Sequence, residues 1–417
     1  MSAPRLRATT VALPDPPDLL AQAGDDGWLF RAEHAGLAGQ GVALRIDLPE
    51  GVGDRAGTAR VQEVLASIPT EDPLGLPGTG PVAVGALPFD PTAPGHLVVP
   101  RRLFGRSGDT GWVTTVEPLD AQPEPVVLGP SGVDGDDRAP QPPDRFTLVP
   151  TMTHDEWREL IADAVEVLAR GDLRKVVLAR RIDIGANRPF VVSDVLERLI
   201  ALYPSCMVYS IEGFLGASPE LLVSRYGSDV DSHPLAGTVA RSGDVHGDET
   251  LVARLMDSPK ARHEHRVVVE AIAEVLRPLC ARLDVPDRPS VLGLRNVSHL
   301  ATLIRGRLAA GSPAPSALEL VGRIHPTPAV GGTPTDAALR YLQKVEGFDR
   351  GRYAGPVGWV DSRGDGCFAL GIRCAEVEGS EARIYAGNGI VAGSDPGEEL
   401  AETQLKLQAL LAALVRP

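Results

Sequence analysis

Lysine is scarce in this 417-residue chain, which has only Lys175, Lys260, Lys344 and Lys406 among 41 Lys and Arg residues. An Arg-rich genome is the plain cause. Even so, a Lys kept where Arg is the rule is a candidate for chemistry closed to a guanidinium that never loses its proton. No run of Lys and Arg makes a basic patch, and the formal net charge is -14, so nucleic acid is excluded as the expected partner. The four cysteines, Cys206, Cys280, Cys367 and Cys374, include no C-x-x-C pair and no His at zinc-ligand spacing. Neither a disulfide framework nor a structural zinc is indicated, which fits a reducing cytoplasm. No segment approaches the ~18 uninterrupted apolar residues of a membrane span, and the start, MSAPRLRATTVALPDPP, lacks a signal-peptide core. A soluble cytoplasmic protein without a membrane partner is expected. Phosphate-loop and dinucleotide fingerprints are absent too, so ATP and nicotinamide chemistry are unsupported.

The length allows two to three domains or one large unit. Up to about residue 117, GVALRIDL, GPVAVGALPF, HLVVPRRLF and WVTTVEP read as short strands between Gly, Pro and Asp turns. A stretch from Pro118 to Pro143, dense in Pro, Gly and Asp, reads as a linker. The expected division is therefore a β-rich part over 1–145 and a second region over 146–417, with no internal repeat. In the second region Thr153 to Glu156 is a capping box that opens a helix ending at Gly171. Strands follow in LRKVVLARRIDI, SCMVYSIEG, FLGASPELLVSR and DVDSHPLAGTVA. A long helix then runs from about Ser258, with Val267, Val268, Ala271, Ile272 and Val275 as its apolar stripe. Helices in SALELVGRI and TDAALRYLQKVEG, the second capped by Thr335, precede three further strands and a closing helix. Hairpins mixed with covering helices predict α+β with antiparallel sheets, not a doubly wound parallel sheet.

Several residues along this frame are able to carry chemistry, and each has a plain reading beside it. Glu399, Glu402 and Lys406 share one face of the closing helix, as a metal or anion site needs; a dipole complement plus a surface i,i+4 pair explains them equally. Glu264, between His263 and His265, lies one residue off the apolar stripe and faces a cleft or solvent. With Glu402 it gives two carboxylates from two helices, the usual way of holding Mg²⁺ beside an anionic substrate. Glu220, ending G-A-S-P-E, and Lys175, in a strand, make an acid/base pair if burial tunes both; a surface turn and an edge-strand Lys are the alternatives. His325 reads equally as a helix stop before Pro326. The glycine runs P-L-A-G-T, V-G-G-T-P and A-G-N-G-I place backbone N–H groups against a carboxylate, or simply turn the chain.

Taken in order, K-V-V-L-A-R (175–180), G-A-S-P-E (216–220), P-L-A-G-T (234–238), R-H-E-H (262–265), I-H-P-T-P-A-V-G-G (324–332), Y-A-G-P-V-G (353–358), I-R (372–373), Y-A-G-N-G-I-V (385–391) and E-L-A-E-T-Q-L-K (399–406) resemble the chorismate-utilising enzymes, most closely their isochorismate synthases. The resemblance is strong over residues 146–417 and fainter at G-A-L-P-F-D-P (85–91). It implies an α+β fold of large antiparallel sheets with outer helices and a central active-site cleft. Chorismate is the implied small-molecule partner, Mg²⁺ the implied cofactor binding its ring carboxylate, and a monomer the expected state. Lys175 becomes the base that activates water for attack on C2, and Glu220 the acid that protonates the departing C4 hydroxyl. Glu264 and Glu402 become Mg²⁺ ligands, with Glu399 close to the metal through water. Arg373 and Tyr385 are placed at the enolpyruvyl carboxylate, and Lys406 and Gly387 at a substrate carboxylate. Thr238, His325, Ala329 and Val330 are placed in the pocket lining.

Relatives that use ammonia, such as anthranilate synthases, carry Gln where Lys175 stands, so the resemblance favours transfer of a hydroxyl. Relatives that make salicylate or a 4-amino product usually show Thr where Ala329 stands, which favours stopping at isochorismate. The expected enzyme is thus an isomerase moving a hydroxyl from C4 to C2. A bifunctional salicylate synthase and a non-catalytic chorismate-binding subunit are the alternatives. Menaquinone, a siderophore and salicylate are the products that isochorismate feeds in such a family.

Overall fold

The β-rich segments pair into antiparallel hairpins, as their alternation and turn residues predict. Gly95–Ser107 and Thr110–Pro118, for example, are joined by a tight turn in which Gly108 takes φ +57°, a conformation that favours glycine. A computed structural model describes residues 5–120, 141–241, 243–310 and 314–415. Most of the expected linker lies outside the described residues.

Among the described residues, twenty strands form one sheet and three form a second. Pairing runs without a break from Phe146–Pro150 through Lys175–Ala186, Glu381–Ile390, Cys374–Glu378, Phe214–Ser218, Met207–Ile211, Trp28–Arg31 and Ala35–Leu48 to Gly95–Ser107. From there it continues through Val82–Ala86, Pro356–Asp361, Gly366–Leu370, Leu221–Tyr226, Asp229–His233 and Ile304–Leu308 to Cys280–Asp284. All of these pairs are antiparallel. Strands from before residue 120 therefore lie inside the same sheet as strands from after residue 145. The fold is α+β. The second sheet, Leu235–Ala240, Val297–Ala301 and Ser290–Gly293, carries Thr238 opposite His299.

The Thr153/Glu156 capping box is formed, and its helix, His154–Arg170, ends on Gly171 in the left-handed region. The long helix is Pro259–Leu276, capped by Ser258. Its buried face is Ala261, His265, Val268, Val269, Ile272, Ala273 and Leu276, turned from the expected stripe because a buried His265 takes a place that the apolar pattern had left polar. Thr335 is the first residue of its helix, not the cap: Pro334 occupies that position and offers no side-chain acceptor. Helices Arg55–Ala66, Val192–Leu202 and Val245–Asp257 are additions to the sequence reading. The first is capped by Asp54 but buries only Thr58, Val61 and Leu65, and the second has an apolar face of Val195, Leu196 and Leu199 but no side-chain cap, so each carries only one of the two signals.

Candidate active site

Two places where the chain leaves one part of the large sheet for another set the position of two charged groups. Between Phe214–Ser218 and Leu221–Tyr226, which have different neighbours, the chain passes through Pro219 and Glu220. Between Gly366–Leu370 and Cys374–Glu378 it passes through Gly371 to Arg373, with Arg373 at φ +51°. The two passages are clipped together: Ala217 N–H donates to Arg373 O and Leu370 N–H to Glu220 O, both at 3.1 Å. Backbone groups that a regular ladder would satisfy are thus satisfied here by each other.

Glu220 is 4% exposed, and its Oε1 accepts from Leu235 N–H at 3.3 Å. Burial pushes its carboxyl up to about 7; the Leu235 N–H and the charges of Lys175, Arg373 and Lys406 work against that rise. A carboxylic acid that still holds its proton near neutrality is a proton donor in waiting. It lines a small cleft. Of the residues singled out from the sequence, the cleft is lined by Glu220, Thr238, Ala329, Val330, Arg373, Tyr385, Gly387 and Lys406.

Lys175 begins the strand Lys175–Ala186 and is 2% exposed, so the edge-strand reading does not apply. Its Nζ lies 3.0 Å from Glu264 Oε1. Directly across the pair is Gly389, where a Cβ would strike the Glu264 carboxylate and come within 2.7 Å of Lys175 Cε. An added methyl would therefore displace the ends of these two side chains. Gly389→Ala is expected to lower kcat by about 10²-fold, the usual cost of an ångström-scale displacement at a reacting group, with the melting temperature as a control for gross disruption.

The carboxylates proposed for a metal are each held by a lysine. Glu264 pairs with Lys175, Glu399 with Lys260 at 3.5 Å, and Glu402 with Lys406 at 2.7 Å. Three of the four lysines of the chain are thereby accounted for. Burial raises the Glu399 carboxyl, and the charges of Glu402 and Glu264 raise it further, so the three acids share one electrostatic neighbourhood. Burial raises Glu402 as well, but Lys406 and the Thr238 hydroxyl outweigh it and hold that carboxyl below its ordinary value. Among the described residues no three His, Cys, Asp or Glu side chains converge closely enough to hold an ion as they stand. The donor set nevertheless suits a hard divalent cation: carboxylate oxygens only, from two helices, already neutralised by cations that an ion would replace. Lys406 also donates to Gly387 O (2.8 Å) and Asn388 Oδ1 (3.0 Å), so the ordinary i,i+4 pair is one arm of a larger junction.

Sequence reasoning missed His299 and Tyr353, which both line the cleft. Arg373 Nη2 donates to His299 Nε2 at 3.2 Å, which leaves Nδ1–H to donate to Thr238 Oγ1 at 3.1 Å. Burial, reinforced by Arg373 and Lys406, holds this imidazole well below its ordinary value and therefore neutral. Tyr353 stacks on Tyr385 with ring centroids 4.9 Å apart. Tyr353 lies in the quoted Y-A-G-P-V-G run and was legible there; His299, in V-S-H-L-A, carries no local signal. His325 is not among the residues lining the cleft. It is 5% exposed, caps the Ala317–Ile324 helix, and its Nε2–H donates to Phe89 O at 2.8 Å.

Residues 28–415 match the model of the family described as "Chorismate binding enzyme". The chain is 37% identical to the isochorismate synthase DhbC of Bacillus subtilis (strain 168), over 80% of this chain and 81% of that one. It is 33% identical to the isochorismate synthase EntC of Escherichia coli (strain K12), over 94% and 95%. A solved structure described as a "putative 2,3-dihydroxybenzoate-specific isochorismate synthase, DhbC" from Bacillus anthracis superposes with a TM-score of 0.80 at 34% identity, covering 95% of this chain and 98% of the other. The menaquinone-specific MenF of Escherichia coli superposes at 0.79 with 26% identity, over 99% and 95%. With residues 28–415 matching the family model and relatives of 33–37% identity over most of their length, the chain belongs to the chorismate-binding enzyme family.

Proposed function

We propose that this member of the family is an isochorismate synthase that uses Mg²⁺, with Lys175 and Glu220 as its base and acid. The isochorismate synthases among its relatives support the activity. The observation that carries the assignment of roles is that a buried acid, Glu220, lines the cleft while a buried lysine, Lys175, which is not among the lining residues, lies near that acid. Glu220 keeps its proton near pH 7, and Lys175 is close enough for its charge to act on that carboxyl. Once its ammonium has released a proton to solvent, Lys175 Nζ takes a proton from a water whose oxygen bonds to C2. Both ring double bonds shift, C1=C2 to C1=C6 and C5=C6 to C4=C5, the C4–O bond breaks, and Glu220 gives its proton to the departing oxygen. One water enters and one leaves, so the reaction is an isomerisation and runs in both directions.

Arg373 and Lys406 supply the positive charge that draws a dianionic substrate into a chain of net charge -14. Glu264 and Glu402, with Glu399 beside them, would hold Mg²⁺, which when bound supplies countercharge for the ring carboxylate. Glu264→Gln and Glu402→Gln are each expected to weaken Mg²⁺ affinity by roughly tenfold to a hundredfold, with activity falling in parallel. Glu159→Gln, at an exposed helical site, is expected to change neither. Titration of activity with Mg²⁺ after chelation checks the contrast.

Chromatography of products formed from chorismate and Mg²⁺, with and without ammonia, tests the reaction itself. Isochorismate approaching equilibrium with chorismate, unaffected by ammonia and with little pyruvate, is expected. Stoichiometric pyruvate with salicylate would make the protein a salicylate synthase, and no turnover a binding subunit. Chorismate as substrate places the protein in a soluble biosynthetic reaction, and we assign it to the cytoplasm; no described helix is long and apolar enough to cross a membrane.

A further inference from the structure

Beside the cleft, four side chains that the reaction does not use, Glu346, Arg350, Phe89 and His325, make one buried cluster. Glu346 and Arg350 are each 4% exposed. Arg350 Nε donates to Glu346 Oε2 at 2.8 Å, Nη1 to Val330 O at 2.8 Å, and Nη2 to both Glu346 Oε1 and Val177 O. Glu346 Oε1 in turn accepts from Ala179 N–H at 2.8 Å. Its guanidinium lies over the Phe89 ring, 4.3 Å from the centroid, and Phe89 O is the group that His325 binds.

The partners matter more than the pair. Val177 and Ala179 are two and four residues along the strand from Lys175, and Val330 lines the cleft. On this edge of the strand, Gly332–Thr333 pairs with Lys175 and Val176, and Phe146–Pro150 pairs only from Ile182 onward. Between them, Glu346 and Arg350 take the hydrogen bonds that a neighbouring strand would have taken. Val177 N–H, donating to Gly331 O at 2.9 Å, completes the junction. One rigid planar fork therefore joins the strand that carries Lys175 to the strip that carries Ala329 and Val330.

We infer that Glu346 and Arg350 are positioning residues: they fix the register of the Lys175 strand against the 329–330 strip and so hold the base in place. This rests on Lys175 being the base. The Phe89 ring covers one face of the guanidinium and His325 holds Phe89 through its carbonyl, which gives the histidine of I-H-P-T-P a task outside the cleft lining.

Arg350→Lys keeps the charge beside Glu346 but cannot reach four acceptor atoms in one plane. Its kcat, counted per chorismate-binding site, is expected to fall about 10- to 100-fold with KM changed less than about threefold. Combined with Lys175→Gln it is expected to cost nothing further, because a group acting through Lys175 has nothing left to act on. Glu346→Gln, closer in shape, is the second variant should Arg350→Lys fold poorly; the same lack of additivity is expected with a smaller single loss. A merely structural role lowers the melting temperature and the number of binding sites but leaves kcat per site near wild type. That result, or a double variant slower than Lys175→Gln by the full Arg350→Lys factor, overturns the inference while leaving the base assignment intact. A fast Lys175→Gln overturns the base assignment, and the inference with it.

Discussion

Lys175→Arg is expected to fold, to bind chorismate and to turn it over about 10²- to 10⁴-fold more slowly than the native enzyme, the usual span for a lost general base. The substitution keeps the positive charge beside Glu264, so a purely electrostatic role in holding substrate survives it in part. A base must release and regain a proton, which a guanidinium does not do in a protein. The site is tight: Lys175 is 2% exposed, with Gly389 packed against its Cε. Added bulk is therefore a second cause of loss, and Lys175→Gln separates the two, being smaller and equally unable to act as base. It is expected to be as slow with water, yet to open a route for ammonia, a nucleophile that needs no base. Chorismate affinity by calorimetry and folding by circular dichroism accompany the rate measurements. A folded, chorismate-binding Lys175→Arg within a few-fold of native kcat removes Lys175 from the role.

Glu220→Gln is expected to lose a similar 10²- to 10⁴-fold, and to reveal its cause through pH. The amide keeps the shape and an oxygen for the Leu235 N–H, but has no proton of the right acidity for the C4 oxygen. In the native enzyme, loss of the proton with a pKa of about 7 removes the acid, so the forward rate falls tenfold per pH unit above that value. The residual rate of Glu220→Gln lacks this limb. Stability moves the other way. The folded carboxyl titrates near 7 and the unfolded one near 4.5, so the native fold loses stability as pH rises between them. By pH 8 the loss approaches about 3 kcal/mol, and the amide avoids it. A variant that melts higher than native at pH 8 and is nearly inactive is the expected signature. Equal melting curves across pH 5 to 8 would remove the buried, protonated Glu220 from the account.

The local structure was legible wherever a signal is carried by neighbours in the chain. The Thr153/Glu156 box, the Gly171 stop, the hairpin strands and the closing helix need only caps, alternation and turn residues, all within a few positions of one another. The ordered motifs, spread over more than two hundred residues, were enough to point to the family and to place Glu220, Thr238, Ala329, Val330, Arg373, Tyr385, Gly387 and Lys406 around one cleft. Three of the four scarce lysines meet the acidic cluster.

Only the tertiary structure decided which partner each of these groups meets. Spacing on the closing helix fixes that Glu402 reaches Lys406, but not that Lys406 also reaches Gly387 and Asn388 from a strand. His299 enters the cleft because strand register sets it opposite Thr238, 61 residues away, and His325 leaves it because Phe89, 236 residues away, offers a carbonyl. Glu346 and Arg350 look like an ordinary helix-end pair until the Lys175 strand is seen to lack a neighbour where they stand. Caps and alternation are short-range properties of a chain. Burial, ion pairing and the raised pKa of Glu220 are sums over atoms brought together from distant segments, and they exist only once the sheet has closed around them.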